Sequence, residues 1–269
     1  MTLRRRLHWQ EYTIEAAGLG IFMVSAGVFG TILRSPRYPV HALLGDAFTS
    51  RAVMGLVMGI TAILIVYSPW GKQSGAHLNP AVTLSFFRLG KVQSIDALFY
   101  IIAQFGGAFA GVLFVQTVLG EDFLRPPVNA VATLPGQEGV AVAFVAEAAL
   151  SFLLMLTVLV TSNRRSLSRY TGVCAGVLVF LFITFESPFS GMSINPARSF
   201  GSAAFAGTWG SLWIYMAAPP MGMLLAAESY RRRYGAQAII CAKLHHHNDK
   251  PCIFNCGYRT TFRADTIPR

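Results

Sequence analysis

Long apolar segments separated by short polar loops dominate this 269-residue chain. A helix that crosses a lipid bilayer needs about 20 mostly apolar residues. The segments that meet this requirement, each predicted to be a spanning helix, are 12–33, 48–68, 94–119, 138–162, 168–186 and 209–230. Two further apolar segments, 80–90 and 196–206, are only about half as long as a span. The pattern therefore predicts an all-α membrane protein.

Each short apolar segment begins at an Asn-Pro pair and follows a loop that contains glycine. Short, interrupted hydrophobic segments at matching places in two halves of a chain are typical of re-entrant half-helices that line a pathway. Non-helical backbone at membrane depth is tolerated only where it is buried in protein or faces a water-filled cavity. We therefore predict two re-entrant half-helices, which both border such a cavity.

The two halves of the chain repeat each other, at about 12–119 and about 138–230. Each half contains three spans and one half-helix, and each opens on a Glu-Ala-Ala sequence, at Glu15 and Glu147. Because three spans is an odd number, the second half must enter the membrane upside down relative to the first. The predicted fold is therefore six transmembrane helices and two half-helices in an inverted repeat.

The same eight-residue motif, Ser-Gly-x-x-x-Asn-Pro-Ala, precedes both half-helices, at Ser74–Ala81 and Ser190–Ala197. Asparagine is a favoured N-cap, and proline at the first helical position loses no hydrogen bond. Alanine is small enough for two helix tips to meet. Asn-Pro alone is a common turn dipeptide, but two copies within one longer motif are not explained by turns. The predicted pore motifs are Asn79, Pro80 and Ala81, and Asn195, Pro196 and Ala197.

The helix dipoles of the two half-helices predict that such a pore would exclude cations. The N-terminal end of a helix carries the equivalent of about half a positive charge. Two such ends that face each other repel cations, protons included, while their N–H groups still donate hydrogen bonds to water. The Asn side-chain carbonyl can be held by backbone donors, which leaves its amide N–H₂ for the permeant oxygen.

Composition supports lipid as the main solvent, because 54% of the residues are hydrophobic and only 13% are charged. Soluble domains carry about a quarter charged residues. The net charge of +10 could suggest a nucleic-acid partner, but the basic residues form short clusters between apolar segments, without a nucleic-acid motif. We therefore predict the lipid bilayer, and no nucleic acid, as a partner.

The basic clusters also predict the orientation of the chain. Those that fall on one side of the predicted membrane are Arg4–Arg6, Lys72, Arg88, Lys91, Arg164, Arg165, Arg169 and Arg231–Arg233. By the positive-inside rule this side is cytoplasmic, so we predict that both termini are cytoplasmic. Arg34 and Arg37, on the other side, are a mild exception. The expected location is the cell membrane, as an inner or plasma membrane.

From residue 12 to about 232 the chain resembles the major intrinsic protein family, which includes the aquaporins. The resemblance rests on the motif segments 74–83 and 193–201 and on Tyr100, Gln104 and Gly107 in the third span. It implies the aquaporin fold, a homotetramer with a separate pore in each subunit, and no required cofactor. Facing half-helix dipoles are a known barrier to cations in pores of this type. An enzyme is disfavoured, because no nucleophile–base or metal pair lies within the spans.

The resemblance also implies roles for four charged or ionisable residues. A charged side chain at membrane depth is costly and is a functional candidate by default. Arg198, which follows the second Asn-Pro-Ala, would line the outer constriction and repel cations. Glu15 and Glu147 would hold the re-entrant loops through hydrogen bonds, and His77 would pack in the first loop. A proton relay through the glutamates and a pH gate at His77 are the alternatives.

The remaining filter positions depart from those of strict water pores. Counting back from Asn195 places Ile183 in the fifth span, where water-selective members have histidine, and Met192 in the loop. The second-span position is Met58, or Gly59 if loop 69–75 has no insertion. The set Met58, Ile183, Met192 and Arg198 resembles the plant NOD26-like branch, which passes small neutral solutes.

We predict a passive channel that conducts water and excludes protons and ions. The first alternative is a facilitator of small uncharged solutes such as glycerol, urea, ammonia and metalloid hydroxides. The second is a weakly conducting structural membrane protein, or a channel gated by a metal or by redox chemistry at the tail.

The last part of the chain, 233–269, is expected to be a cytoplasmic tail outside the channel domain 1–232. Thiolate and imidazole ligands at this density can form a tetrahedral zinc site, with Cys241, His245, Cys252 and Cys256 as the predicted ligands. Their spacing matches no standard zinc finger. Palmitoylated or reactive cysteines near the membrane surface, or a solvated tail with a chance cluster, are the alternatives.

Overall fold

The computed structural model describes residues 7–246 and 248–258, so the predicted Arg4–Arg6 cluster lies outside the described residues. The main helices are α1 (Trp9–Arg34), α2 (Ala47–Tyr67), α3 (Pro80–Arg88), α4 (Ser94–Leu119), α5 (Gly139–Ser162), α6 (Thr171–Phe185), α7 (Pro196–Ala206) and α8 (Leu212–Tyr234). Short helices at Pro39–Leu43, Pro69–Ser74, Glu121–Leu124 and Ser187–Ser190, and 3₁₀ turns at Asn129–Val131, Ser168–Tyr170 and Ala236–Ala238, complete them. No β-strand occurs within these described ranges. The predicted all-α class is confirmed.

Six long helices stand where the apolar pattern predicts spans. Five stretches are long and apolar enough to cross a membrane by length and composition: Trp9–Arg34, Ala47–Tyr67, Ser94–Leu119, Gly139–Ser162 and Ser168–Phe185. The sixth long helix, α8, is less apolar because it contains two prolines and ends on three arginines. The two short helices, α3 and α7, begin at Pro80 and Pro196, as the Asn-Pro pairs predict.

Glycines let the long helices of each half approach closely. A methyl group added at Gly107 in α4 would lie 2.0 Å from the carbonyl oxygen of Ala16 in α1. The second half repeats this contact, because a methyl group at Gly222 in α8 would lie 2.1 Å from the carbonyl oxygen of Ala148 in α5. Small residues at such crossings let two backbones touch, which is how helices associate in lipid. The repeated Glu-Ala-Ala sequence therefore includes one half of a helix–helix contact.

The helices alternate in direction, so the start of α1 and the end of α8 lie on one face of the bundle, which we call the terminal face. His8 Nδ1 contacts Asp96 Oδ1 at 2.7 Å, which joins the start of α1 to the start of α4 on this face. We call the opposite face the distal face. The half-helix α3 runs from the centre of the bundle toward the terminal face, and α7 runs from the centre toward the distal face.

The segment after α8 folds back over the terminal face. Residues 239–245 are all buried, although they contain only extended and irregular backbone. The Ile240 N–H donates to Asn163 Oδ1 (2.6 Å) at the end of α5, and the Asn255 N–H donates to the carbonyl oxygen of Lys91 (2.9 Å) before α4. The segment therefore contacts the helical bundle near both of its own ends.

Candidate pore

A cavity of about 770 Å³ lies in the middle of the bundle. Its walls come from α1, α2, α5, α6 and the two re-entrant segments. Residues from the distal loops line one end, and Ala76, His77 and Leu244 line the other. The predicted site residues that line it are Met58, His77, Asn79, Ile183, Met192, Asn195 and Arg198. The cavity is therefore enclosed by one chain. The four predicted filter residues and the two motif asparagines all line it.

The two motif asparagines join the tips of the half-helices at the centre of the cavity. Asn79 Oδ1 accepts from the Ala81 N–H (2.8 Å), and Asn195 Oδ1 accepts from the Ala197 N–H (3.1 Å), so each side chain caps its own helix. The amide of Asn79 donates to the carbonyl oxygen of Ile194 (2.7 Å), and that of Asn195 donates to the carbonyl oxygen of Leu78 (2.7 Å). Each amide has two N–H bonds, so one on each asparagine remains for a molecule in the pore.

The prolines and alanines of the motifs do not line the cavity and are buried at the two tips. Pro80 and Pro196 stand at the first helical positions, and Ala81 and Ala197 have no exposed surface. A larger side chain at either alanine would push the half-helices apart. The positive ends of both helix dipoles consequently face the same short stretch of the cavity.

Glu15 anchors the first re-entrant loop through four donors. Its Oε1 accepts from the Ser74 hydroxyl (2.7 Å) and the His77 N–H (3.1 Å). Its Oε2 accepts from the Leu78 N–H (2.6 Å) and the Gln104 amide (2.8 Å). All four of these neighbours donate to the carboxylate, so the group holds the loop in place. Glu15 does not line the cavity.

Glu147 makes the corresponding bonds in the second half. Its Oε1 accepts from the Ser190 hydroxyl (2.8 Å) and the Ser193 N–H (2.6 Å), and its Oε2 accepts from the Ile194 N–H (2.6 Å). The serine and the two N–H groups occupy the same places in the motif as those bound by Glu15. The inverted repeat is therefore preserved in individual hydrogen bonds, not only in the order of the helices.

Two tyrosine–serine pairs complete this support, and the sequence patterns do not predict them. Tyr100 donates to the carbonyl oxygen of Ser74 (2.7 Å), and Tyr215 donates to the carbonyl oxygen of Ser190 (2.6 Å). The serine hydroxyls also accept from the N–H groups two residues further on. The repeated motif begins at serine in both halves, and this recurrence is the signal in the sequence that the two serines have a structural role.

The loops between serine and asparagine use left-handed backbone. Gly75 and Gly191 have φ of +98° and +79°, and Met192 has φ of +51°. Non-glycine residues rarely adopt such values unless the surroundings hold them there. The N–H groups bound by Glu15 and Glu147 lie in these same loops, so the buried carboxylates supply the interactions that hold the strained backbone.

The four predicted filter residues all line the same cavity. Met58 lines the cavity, whereas Gly59 packs against α6, where a methyl group would lie 2.6 Å from the carbonyl oxygen of Gly176. Met58, and not Gly59, therefore faces the cavity. Within the described residues, Nη1 of Arg198 has no hydrogen-bond partner, although it is buried. A donor is therefore available where the other three side chains are apolar.

The distal end of the cavity is charged. Arg34, Arg51, His41 and Asp46 line it together with Arg198. A hydrogen bond from the backbone N–H of Thr49 lowers the pKa of Asp46, so this carboxylate stays ionised near neutral pH. Three arginines against one aspartate leave this end of the cavity net positive, which opposes the entry of cations.

His77 is held on all sides. Its Nε2 lies 2.9 Å from the carbonyl oxygen of Ala242, so that nitrogen carries the proton, and its Nδ1 lies 3.1 Å from Thr83 Oγ1. Its ring stacks between Phe86 (5.3 Å) and Phe254 (5.3 Å). The predicted packing role therefore extends beyond the first loop, because Ala242 and Phe254 belong to the segment after α8.

The structure brings three of the four predicted metal ligands together and replaces the fourth. The ligand atoms of Cys241, His246, Cys252 and Cys256 all lie within 4.8 Å of one another. The predicted His245 instead places its ring 4.8 Å from that of Tyr67. In an irregular backbone neighbouring side chains point in different directions, and spacing alone does not decide which histidine faces the thiols. Burial lowers the pKa of the adjacent Lys243, whose ammonium donates to the carbonyl oxygen of Pro251 (2.7 Å).

Comparison with known proteins gives consistent matches. The family model described as "Major intrinsic protein" matches residues 4–230. "Probable aquaporin NIP7-1" of Arabidopsis thaliana is 37% identical over 220 residues, which cover 81% of this chain and 75% of the relative. "Glycerol uptake facilitator protein-like 6" of Lactiplantibacillus plantarum is 36% identical over 182 residues, or 65% of this chain and 81% of the relative.

An archaeal relative and a solved structure extend these matches. "Aquaporin AqpM" of Methanothermobacter thermautotrophicus is 36% identical over 186 residues, which cover 66% of this chain and 75% of the relative. The X-ray structure of the aquaglyceroporin from Plasmodium falciparum superposes with a TM-score of 0.69 at 21% identity, covering 86% of this chain and 99% of that one. At this identity the structural likeness supports the fold alone.

Proposed function

The chain belongs to the major intrinsic protein family, an integral membrane family of passive channels rather than enzymes, and we propose that it conducts water while excluding protons and ions. The observation that carries the proposal is the crossed pair of asparagine amides in one cavity that extends from the distal loops to the first re-entrant loop. Each amide keeps one N–H for a passing oxygen. A water oxygen that accepts from both asparagines is oriented by them as it passes the facing helix ends.

Exclusion of cations rests on fixed positive charge at two levels of the cavity. At the centre, the N-terminal ends of α3 and α7 face the pathway, and toward the distal end the guanidinium of Arg198 lines it. A cation would lose its hydration shell and meet these charges, whereas water replaces lost hydrogen bonds with those of Arg198 and the asparagines. Anions face the loss of hydration within walls that are otherwise apolar.

The same geometry favours a second function, the passage of small uncharged solutes. Met58, Ile183 and Met192 contribute three apolar side chains beside the one cationic donor, and methionine side chains adapt their shape readily. Such a wall suits a solute with an apolar edge and a polar edge, such as glycerol or urea. A relative of this chain is named as a glycerol uptake facilitator, which agrees with this second function.

Three further properties follow as parts of the proposal. We assign the terminal face to the cytoplasm of a cell membrane, because the arginines that end α8 and those at Arg164, Arg165 and Arg169 lie there. A homotetramer with one pore per subunit agrees with a cavity enclosed by one chain and with exposed apolar side chains on the outer surfaces of the spans. The channel domain is 1–232, followed by the tail 233–269.

Water permeability of proteoliposomes tests the proposed function. Stopped-flow light scattering under an osmotic gradient is expected to show faster shrinkage than in empty vesicles, in buffer that contains a metal chelator. The matched control is the same protein with Ala81→Trp, which should separate the half-helix tips and return permeability to the level of empty vesicles. Wild-type permeability equal to that of empty vesicles, with protein shown to be folded and inserted, would exclude a water channel.

A single substitution in the filter tests the choice between water and solutes. Ile183→His adds a polar ring at the position where water-selective members carry histidine, beside Arg198. The ratio of glycerol to water permeability is expected to fall by roughly an order of magnitude, or about 1.4 kcal/mol of barrier. Ile183→Val, which keeps the wall apolar, should leave the ratio nearly unchanged. Equal ratios in all three proteins would mean that Ile183 does not contribute to selectivity.

A further inference from the structure

The described tail, 235–246 and 248–258, has little regular structure to hold it in place. After the 3₁₀ turn Ala236–Ala238, residues 239–246 and 248–257 contain neither helix nor strand. Seven consecutive residues, 239–245, are nevertheless buried, and Lys243 among them is only 1% exposed. A segment with few backbone hydrogen bonds of its own needs another source of order to offset its lost chain entropy.

Four soft ligands converge within this tail. Cys241 Sγ and Cys252 Sγ are 3.5 Å apart, and His246 Nε2 is 3.0 Å from Cys256 Sγ. Zinc binds thiolate sulfur at about 2.3 Å and imidazole nitrogen at about 2.0–2.1 Å in a tetrahedron, so ligand atoms around it lie about 3.3–3.8 Å apart. The sulfur–sulfur separation falls in this range, the nitrogen–sulfur separation is about 0.3 Å shorter than its lower limit, and all four ligand atoms lie within 4.8 Å of one another, so small side-chain shifts bring them to tetrahedral geometry. The sulfur–sulfur distance is too long for a disulfide, and the structure records all four cysteines of the chain as free thiols.

The ligand types indicate which metal the cluster prefers. Three thiolates and one imidazole form a closed set of four protein ligands, which is typical of structural zinc and leaves no position for a substrate. Hard cations such as Mg²⁺ and Ca²⁺ prefer oxygen ligands, which this cluster does not offer. The metal would connect residue 241 to residues 252 and 256, and so close a loop that contains residues 241–245 of the buried segment.

The position of this loop links the cluster to the pore. The Leu244 N–H donates to the carbonyl oxygen of Gly75 (3.1 Å), and the Leu244 side chain lines the terminal end of the cavity. Ala242 accepts from His77, and Phe254 stacks on the same ring. A methyl group added at Gly75 would lie 2.9 Å from Phe254, so the first motif loop itself is shaped to receive the tail.

We propose that Cys241, His246, Cys252 and Cys256 bind one Zn²⁺, and that the metal holds the tail across the terminal mouth, so that the zinc-loaded channel conducts less than the metal-free channel. The metal holds Leu244 and Phe254 against the first re-entrant loop. When the metal leaves, the three thiols and the imidazole are no longer joined, and the tail loses the cross-link that keeps it folded. The effect on conduction rests on the proposed channel function, whereas the zinc site does not.

Metal content tests the site directly. Full-length protein, purified without a histidine tag and dialysed after exposure to Zn²⁺, is expected to retain one zinc per chain by mass spectrometry of the metal. Cys252→Ser should reduce the content to background, whereas Cys174→Ser, which alters a cysteine of α6 outside the cluster, should retain it. His245→Ala should also retain zinc, and His246→Ala should lose it.

Two results would overturn the zinc site. One is background zinc in the wild-type protein, and the other is equal zinc in the wild-type and Cys252→Ser proteins. Thiol titration under denaturing conditions distinguishes a metal site from a disulfide between two of the cluster cysteines. If two thiols become reactive only after reduction, the cluster holds a disulfide instead of a metal. Substitution of Co²⁺ gives a second readout, because the visible spectrum of tetrahedral cobalt thiolate should be present in wild type and absent in Cys252→Ser.

Permeability measured on the same preparations tests closure of the pore. A membrane-permeant, high-affinity chelator is expected to raise water permeability of wild-type proteoliposomes several-fold. The Cys252→Ser protein should start at the higher value and not respond. If zinc is bound and permeability is high but insensitive to the chelator, the metal does not close the pore. If chelated wild type and Cys252→Ser both match empty vesicles, the channel function itself fails while the zinc result stands.

Discussion

Glu15→Ala is expected to abolish conduction and to lower the thermal stability of the protein sharply. The carboxylate accepts from two backbone N–H groups, of His77 and Leu78, and from the side chains of Ser74 and Gln104. Alanine leaves all four donors without this acceptor in a site that has no exposed surface. A buried donor without a partner costs about 1–3 kcal/mol, so the two backbone groups alone would cost several kcal/mol.

The consequence for the pore follows from where these donors lie. Leu78 precedes Asn79 and supplies the carbonyl that Asn195 binds, so a shift of this loop separates the two half-helix tips. Thermal unfolding in detergent and water permeability of proteoliposomes measure the two effects. Glu121→Ala is the matched control, because its side chain is exposed and forms a surface ion pair with Arg125 four residues later. An exposed pair of this kind contributes about 0–1 kcal/mol.

Glu15→Gln tests the contribution of the hydrogen bonds separately from that of side-chain size. Glutamine keeps the size of the side chain and one accepting oxygen. Its N–H₂ group, placed where Oε2 stands, would face two donors, the Leu78 N–H and the Gln104 amide. We expect intermediate stability and reduced conduction. Wild-type melting temperature and permeability in both Glu15 variants would show that the loop is held without this residue.

Arg198→Ala is expected to admit cations and protons that the wild-type channel excludes. Two unit charges about 4 Å apart repel each other by about 4 kcal/mol at an effective dielectric constant of 20, which corresponds to roughly a thousandfold in rate. Nearby Arg34 and Arg51 and the half-helix ends remain in the variant, so the observed increase should be smaller than this limit. The lost side chain also widens the cavity that Arg198 shares with Met58 and Ile183, and glycerol permeability should rise.

Proton flux and glycerol flux separate the two roles of Arg198. A pH-sensitive dye inside proteoliposomes reports proton entry under a membrane potential, and light scattering reports glycerol, both in the presence of chelator. Arg198→Lys keeps the charge but not the planar group of donors, so it should retain cation exclusion while altering glycerol permeability. If Arg198→Ala leaves proton flux at the wild-type level, the barrier rests on the half-helix ends and the other arginines.

Much of the fold follows from the chain alone, because the membrane restricts what the backbone can do. Spans of about 20 apolar residues must be helical in lipid, where backbone groups have no water to bond. For this reason the predicted segment 94–119 and helix α4 coincide, and the half-helices start at Pro80 and Pro196. The family relationship, confirmed over residues 4–230, extends the same pattern to the whole channel bundle.

The site was less completely predictable, because side-chain partners come from distant parts of the chain. The glutamates were expected to hold the loops, but nothing in the spacing indicates that Tyr100 and Tyr215 bind the motif serines. The sequence left open whether Met58 or Gly59 faces the cavity, and the tertiary structure packs Gly59 against α6. These details depend on how each helix is rotated about its axis and on close packing. A shift of one residue along a helix moves a side chain by about 100° around the helix axis.

The sequence by itself determined the inverted repeat, the paired Asn-Pro-Ala tips and the apolar set around Arg198, because each is a local pattern repeated or placed within a span. Only the tertiary structure decided where the tail goes. Irregular backbone has no periodicity, so neither the exchange of His246 for the predicted His245 nor the burial of Leu244 at the pore mouth can be deduced from spacing. Contacts with His77, Gly75 and Lys91 across the terminal face position the tail, and these contacts exist only once the bundle has formed.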